Sequence, residues 1–296
     1  MKIMVDTIKL LIAIPEPLAL DGRGFTPTLS ELVNSTKYGK AVLNPSSTYT
    51  KLGQYMPRLT MHKRPSNVGP VYQLAVECSA PKILFGNNFD ELTEDDYEPL
   101  LAALQSKLFE LVRFRFFKQQ LAQADLGAWH PSKNIVFSGY TACQTIINTI
   151  SKLDISRVYD VQKTDFREGH VFHIHCNSLD IAFYDKKADI RKAKISEKRA
   201  FEKNSLIQLD LFEKLEEYRP LDILRYEVRL VGKAAIKRAY PELETWTLQT
   251  LFRSQLCQNT LVKHWQKLTD SVDLLALDVK QPYELLQNYI EEHQEV

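Results

Sequence analysis

A tyrosine, a lysine and a pair of histidines fall within one short stretch, Gly169 to Arg191, which reads GHVFHIHCNSLDIAFYDKKADIR. Two runs of strand-forming residues, Val171 to Cys176 and Ile181 to Tyr184, flank the turn-type cluster Asn177-Ser178-Leu179-Asp180. That pattern predicts a hairpin. Strand alternation puts Ala182, Tyr184 and Lys186 on one face, and Phe183 and Asp185 on the other. A phenol beside an ammonium, with only a methyl before it, leaves room for a polymer backbone to approach. A tyrosine can act as a covalent nucleophile, and a neighbouring lysine can stabilise a phenolate or a phosphate oxyanion. The alternative is a strand tyrosine with a solvated lysine beside it. His173 and His175, two residues apart, place both imidazoles on one strand face.

Other strands must bring partners to this face. Val71 to Cys78 alternates, with Tyr72, Leu74, Val76 and Cys78 on one side and Gln73, Ala75 and Glu77 on the other. Trp129 to Phe137 is a strand after a polar step, and it carries His130. Leu221 to Leu230 turns Leu224, Tyr226, Val228 and Leu230 to a core and Arg225, Glu227 and Arg229 away from it. Between these runs lie helical patterns: one from Thr93 to about Gln123, one over Thr141 to Leu153, and a charged one from about Lys187 to Glu217. The order strand, helix, strand, strand, helix, strand predicts an α+β, ferredoxin-like βαββαβ antiparallel sheet with helices on one face. In that topology the first and third strands are central neighbours, the fourth lies beside the first, and the histidine pair sits on an edge strand. His130, Tyr184 with Lys186, and Glu227 then share one open face. The chain divides as residues 1–126, an N-terminal α+β half and a degenerate copy of the same unit; 127–240, the half with Tyr184; and 241–296, helical.

Composition narrows the function classes. The chain has 296 residues, 44% hydrophobic and 25% charged, with a net charge of +1. That is ordinary for a globular protein and excludes a strongly basic nucleic-acid coat. From Asp185 to Lys203, however, eight basic residues meet four acidic ones. A basic segment on a near-neutral protein suits docking of one anionic ligand at one place; a solvated helix has the same look. Arg191, Lys192 and Lys194 in this run, with Arg225 and Arg229, are the candidate phosphate contacts. The four cysteines are widely spaced with no CxxC, which argues against a zinc cluster or a redox pair. No apolar run reaches the ~18 residues of a membrane span. These features predict a cytoplasmic protein with reduced thiols and no membrane partner.

Five segments then carry a resemblance: VDTIKLLI (5–12), LAVECSAPKILFGNN (74–88), HPSKNI (130–135), FYDKKADI (183–190) and LRYEVRL (224–230). In this order the chain resembles the replication initiators of filamentous phages and related plasmids, the gene-II-type rolling-circle nickases, which are similar in layout to HUH endonucleases. The resemblance implies a site-specific enzyme that cuts one DNA strand at an origin through a tyrosine. It stays linked to the 5′-phosphate, leaves a 3′-OH for a polymerase, and later rejoins the displaced strand. It also implies single-stranded or origin DNA, host helicase and polymerase as partners, and Mg²⁺ or Mn²⁺ as cofactor. The nucleophile falls on Tyr184, its basic partner on Lys186, and the acidic strand positions on Glu77 and Glu227. His130 stands where the phage branch carries an acidic residue after an Arg-Ile pair. His173-Ile174-His175 looks like the His-hydrophobic-His element of HUH enzymes. Glu227, His130, Glu77 and His175 are thus the candidate metal ligands, with oxygen and imidazole donors that suit a hard or borderline divalent ion. The competing expectation is a non-catalytic single-stranded nucleic-acid-binding module on a ferredoxin-like frame.

Overall fold

The computed structural model describes residues 2–3, 5–46, 48–49, 52–137, 142–188 and 222–269. Arg191, Lys192, Lys194, most of the charged segment expected to be helical and everything after residue 269 lie outside the described residues. The chain opens with β1 (Lys2–Ile3) and β2 (Val5–Ala13), then α1 (Leu29–Asn34), β3 (Gly39–Leu43), β4 (Arg58–Arg64) and β5 (Val71–Ser79). Next come α2 (Ala80–Phe85), β6 (Leu92–Thr93), α3 (Tyr97–Val112) and α4 (Lys118–Ala122). The second half holds β7 (Asp125–Phe137), α5 (Cys143–Ile150), β8 (Val161–Arg167), β9 (Val171–Cys176), β10 (Leu179–Asp185) and β11 (Asp222–Val231). Then follow α6 (Lys233–Ala239), α7 (Leu248–Leu251) and α8 (Ser254–Thr269).

Nine strands form one sheet in the order β3-β4-β5-β2-β7-β11-β10-β9-β8, and β1 pairs with β6 apart from it. Every pairing in the large sheet is antiparallel. The α+β class stands, but the strand order differs from the ferredoxin-like expectation. β11 does lie beside β7, the expected first strand, yet it also separates β7 from β10. The cause is local: β8, β9 and β10 form a meander through short turns, so they must be consecutive, and only the outer side of β10 remains for β11. The histidine pair is therefore not on an edge strand, because β8 pairs with the far side of β9. The division at residue 126 falls inside β7, and β7 pairs with β2, so the two halves share one sheet.

The hydrophobic side of the sheet is set by alternation. Leu224, Tyr226, Val228 and Leu230 of β11 are buried in the core, as are Leu10 and Ile12 of β2 and Leu74, Val76 and Cys78 of β5. Phe183 stacks on Tyr226 at 4.8 Å, and Trp265 of α8 meets both rings edge-on. The Tyr226 hydroxyl donates to the Leu261 carbonyl, so the described part of the C-terminal segment belongs to this core. In α3, Leu100, Leu104, Leu108 and Val112 recur at helical spacing and are fully buried. That helix stops at Arg113, which is left-handed at φ 50°, so the single long helix expected to Gln123 is two. Pro131 sits inside central β7, where a missing N–H is normally costly. The β2–β7 register shifts beside it, between Val5 and Ile8, and the bulge absorbs the proline.

Candidate functional site

The opposite face of the sheet is polar, and directly opposed antiparallel residues share a face. Ala182 of β10 lies between Glu227 of β11 and His173 of β9. On one side of that row, Asp180 lies between Arg229 and His175. On the other side, Tyr184 lies between Arg225 and Val171. The Ala182 methyl is thus a small floor among two carboxylates, two imidazoles, a phenol and two guanidinium groups. Ala182 is buried yet lies outside the hydrophobic core cluster, as expected on this face.

Glu227 is the centre of the polar network. Its side chain is 2% exposed. It accepts from Arg229 at 3.0 Å and from the Tyr184 hydroxyl at 3.4 Å, and His130 Nδ1 approaches its other oxygen at 3.5 Å. Burial works against an ionised carboxylate there, but Arg229, His130 and Arg225 outweigh it and hold Glu227 well below the usual carboxylate range. Glu227 and His130 are expected as ligands of a cation, but in the structure Glu227 already has Arg229 as its counter-charge.

Arg225 is also buried and ties the halves together. Its guanidinium donates to the Ser132 hydroxyl at 2.8 Å, to Asn134 Oδ1 at 3.0 Å and to the Asn88 carbonyl at 3.1 Å, and it pairs with Asp6 at 3.4 Å. Asp6 in turn accepts from Ser79 at 2.7 Å. Burial alone would favour a neutral guanidine; Asp6, then Tyr184 and Glu227, push the group further toward its charged form. A side chain so fully engaged is a structural tie and not a contact for a phosphate. Lys186 lies just past the end of β10, with its ammonium 5.6 Å from the Tyr184 ring centre and 5.8 Å from that of Phe89. Strand alternation therefore does not carry it to the Tyr184 face; the helical turn that begins at Lys186 brings it there.

His173, His175 and Asp180 form the densest donor set among the described residues, with one ligand atom from each all within 4.8 Å of one another. The His173 and His175 rings are 3.8 Å apart, and both Nε2 atoms are buried without a hydrogen-bond partner. Burial first, then the charges of Arg229 and His175, lower the His173 pKa to about 4. His173 is therefore neutral near pH 7, which is the form that ligates metals. Asp165 of β8 stands 3.5 Å from His175 on the far side. Asp180 and Asp165 were not among the sequence candidates. Asp180 reads as a turn residue, although its place two before Ala182 puts it on the Tyr184 face. Glu77 is not part of this cluster: it pairs with Lys9 at 2.6 Å on β5, three strand spacings (~14 Å) from β11.

Among the described residues, no helix is long and apolar enough to cross a membrane. No protein-family model, curated protein or solved structure matches the chain.

Proposed function

We propose that this chain is a metal-dependent DNA nickase and rejoining enzyme of the rolling-circle type, with Tyr184 as its nucleophile. One observation carries the reading: a phenol, a buried carboxylate and a His-His-Asp donor set surround the single methyl of Ala182 on one sheet face. The five ordered segments that resemble gene-II-type initiators meet in this region, since Asp6, Asn88, Ser132 and Asn134 all contact Arg225, and Tyr184 donates to Glu227 two residues on.

In the proposed reaction the Tyr184 oxygen bonds to the scissile phosphorus while the bond from phosphorus to the 3′ oxygen breaks. The departing 3′ oxygen takes up a proton, and the 5′-phosphate stays esterified to the tyrosine. Rejoining is the reverse, with a 3′-OH attacking the phosphotyrosine and the phenol regaining its proton. Glu227 accepts the phenol hydrogen bond and aims the oxygen, and His130 beyond it extends a path for the proton. Lys186 offsets negative charge as it develops on the phenolate. His173, His175 and Asp180 would hold a divalent ion, whose chemistry is to polarise the phosphate oxygens. Two imidazoles with one carboxylate favour Mn²⁺ over Mg²⁺. This replaces the ligand set Glu227, His130, Glu77 and His175, of which only His175 remains.

The test is to incubate the protein with Mn²⁺ and single-stranded DNA carrying the replicon's origin, and look for a denaturant-resistant protein–DNA adduct. Tyr184→Phe removes only the hydroxyl and is expected to abolish the adduct while leaving DNA binding intact. An adduct of undiminished yield in the Phe variant would sink the assignment. Tyr226 on the neighbouring strand cannot stand in for Tyr184, because it is 1% exposed and its hydroxyl donates to the Leu261 carbonyl.

A further inference from the structure

The phosphate contacts expected from Arg225 and Arg229 are spent on Asp6 and Glu227, so a bound strand needs cations elsewhere. The same polar face continues across β2, β5, β4 and β3, and there the balance of charge changes. Lys40 pairs in register with His62, and Arg58 with Glu77 and through it Lys9. Arg64 extends the line along β4. Lys40, Arg58 and Arg64 are exposed, and among the described residues none of them has an ion-pair partner. Burial, then the charges of Arg64, Lys40 and Lys9, lower the His62 pKa, so these cations converge on one imidazole. Two described strand carboxylates share this face, Glu77 and, at its inner end beside Leu11, Asp125; Lys9 neutralises the first and Lys233 the second.

The patch has a shape as well as a sign. Thr60 lies between Val42 and Ala75, and Ala75 faces Leu11, so a row of small and apolar side chains crosses four strands. The Lys40 and His62 row borders it on one side, and the Arg58 and Lys9 row on the other. Arg58 and His62 are four residues apart on one strand, a separation of ~14 Å. The result is a shallow trough with cations on both rims and an uncharged floor. Among the described residues of these rows, the His62 imidazole on one rim is the only ring, and no phenyl, phenol or indole offers a platform for successive bases. The trough therefore recognises a backbone and not a sequence.

We propose that this trough holds the phosphate backbone of single-stranded DNA on the way to or from Tyr184. The proposal rests on the reading that the substrate is a single strand. β2, at the inner end of the trough, is three strand spacings from β10, roughly 14 Å, so one continuous strand spans both places.

The experiment is fluorescence anisotropy with labelled oligo-dT over a series of salt concentrations. It compares the full chain with Lys40→Glu/Arg58→Glu/Arg64→Glu and with the neutral triple Lys40→Gln/Arg58→Gln/Arg64→Gln. Each lost contact with a single strand lowers the slope of log affinity against log salt by about 0.7, so both triples should flatten it by about 2. At low salt the neutral triple is expected to bind about tenfold more weakly, and the reversed triple more weakly still. Wild-type slopes in both triples, absent binding by the parent chain, or a preference for duplex of equal length would overturn the proposal. The adduct assay fails independently: patch-dependent binding without a Tyr184 adduct keeps the trough and removes the nickase.

Discussion

Glu227 holds two unlike partners, a guanidinium that needs its charge and a phenol that needs only an acceptor. A strand glutamate between two arginines in sequence, if it were solvated, would lose little stability on Glu227→Gln. At 2% exposure the substitution instead leaves Arg229 and Arg225 with one fewer counter-charge in a buried network. The expected loss is about 3 kcal/mol by urea denaturation at pH 7, since breaking one side of a buried pair strands the other charge. The pH dependence fixes the sign. The folded-state pKa of Glu227 is depressed, so its contribution is complete above the unfolded value of about 4.3 and drains away as pH falls below it. The gap between wild type and Glu227→Gln should therefore shrink on acidification, and a gap independent of pH would contradict the network. In the proposed reaction the same variant loses nicking through a misaimed phenol. The sharing of one face by Ala182, Tyr184, His130 and Glu227 was legible in the sequence, whereas Lys186 reaches that face through a helical turn and not through alternation. Asp6 was not. Alternation from Ile8 and Leu10 directs it into the core, and only the bulge beside Pro131 returns it to Arg225.

At the scale of elements, α8 is docked partly through a histidine that must stay neutral. His264 Nδ1 lies 2.8 Å from the Tyr159 hydroxyl, and Lys267 sits 4.3 Å above the Tyr159 ring centre. Burial, with Lys263 and Lys267 nearby, lowers the His264 pKa to about 4. An unfolded histidine titrates near 6.5, so the unfolded chain binds more protons between those values and stability falls as pH falls from about 6.5 toward 4. His264→Gln should remove this component, worth up to ~3 kcal/mol, from a plot of melting temperature against pH. An unchanged slope would show that α8 does not feel the proton. The elements themselves were unevenly legible. Helices and inner strands announce themselves through apolar period, as in Leu100, Leu104 and Leu108 or Leu224, Tyr226 and Val228. β8, VQKTDFR, does not, because an outermost strand needs no apolar face and its charges discourage pairing with other chains. β3 at the other end does bury Ala41 and Leu43, but at five residues it is too short for its alternation to stand out.

For the whole molecule, the division into halves near residue 126 implies two folding units, whereas one sheet with Asp6 tied to Arg225 implies one. Far-ultraviolet circular dichroism and tryptophan fluorescence should report coincident unfolding transitions, since Trp129 sits in β7 between β2 and β11. Two resolved transitions would restore the halves. Strand order was the least legible feature, because pairing between β7 and β11 joins residues about ninety positions apart and no local pattern records it. That placement has a consequence for biosynthesis. Among the described strands β11 is the last to leave the ribosome, yet its neighbours β7 and β10 are both already made. Until it arrives, the nascent chain consists of a five-strand sheet ending at β7 and a three-strand meander ending at β10, each with an open edge. Tyr184 is translated early, but Glu227 arrives on the strand that closes the gap. A prematurely terminated chain would carry the phenol without the carboxylate that aims it, and the finished fold alone brings the two together.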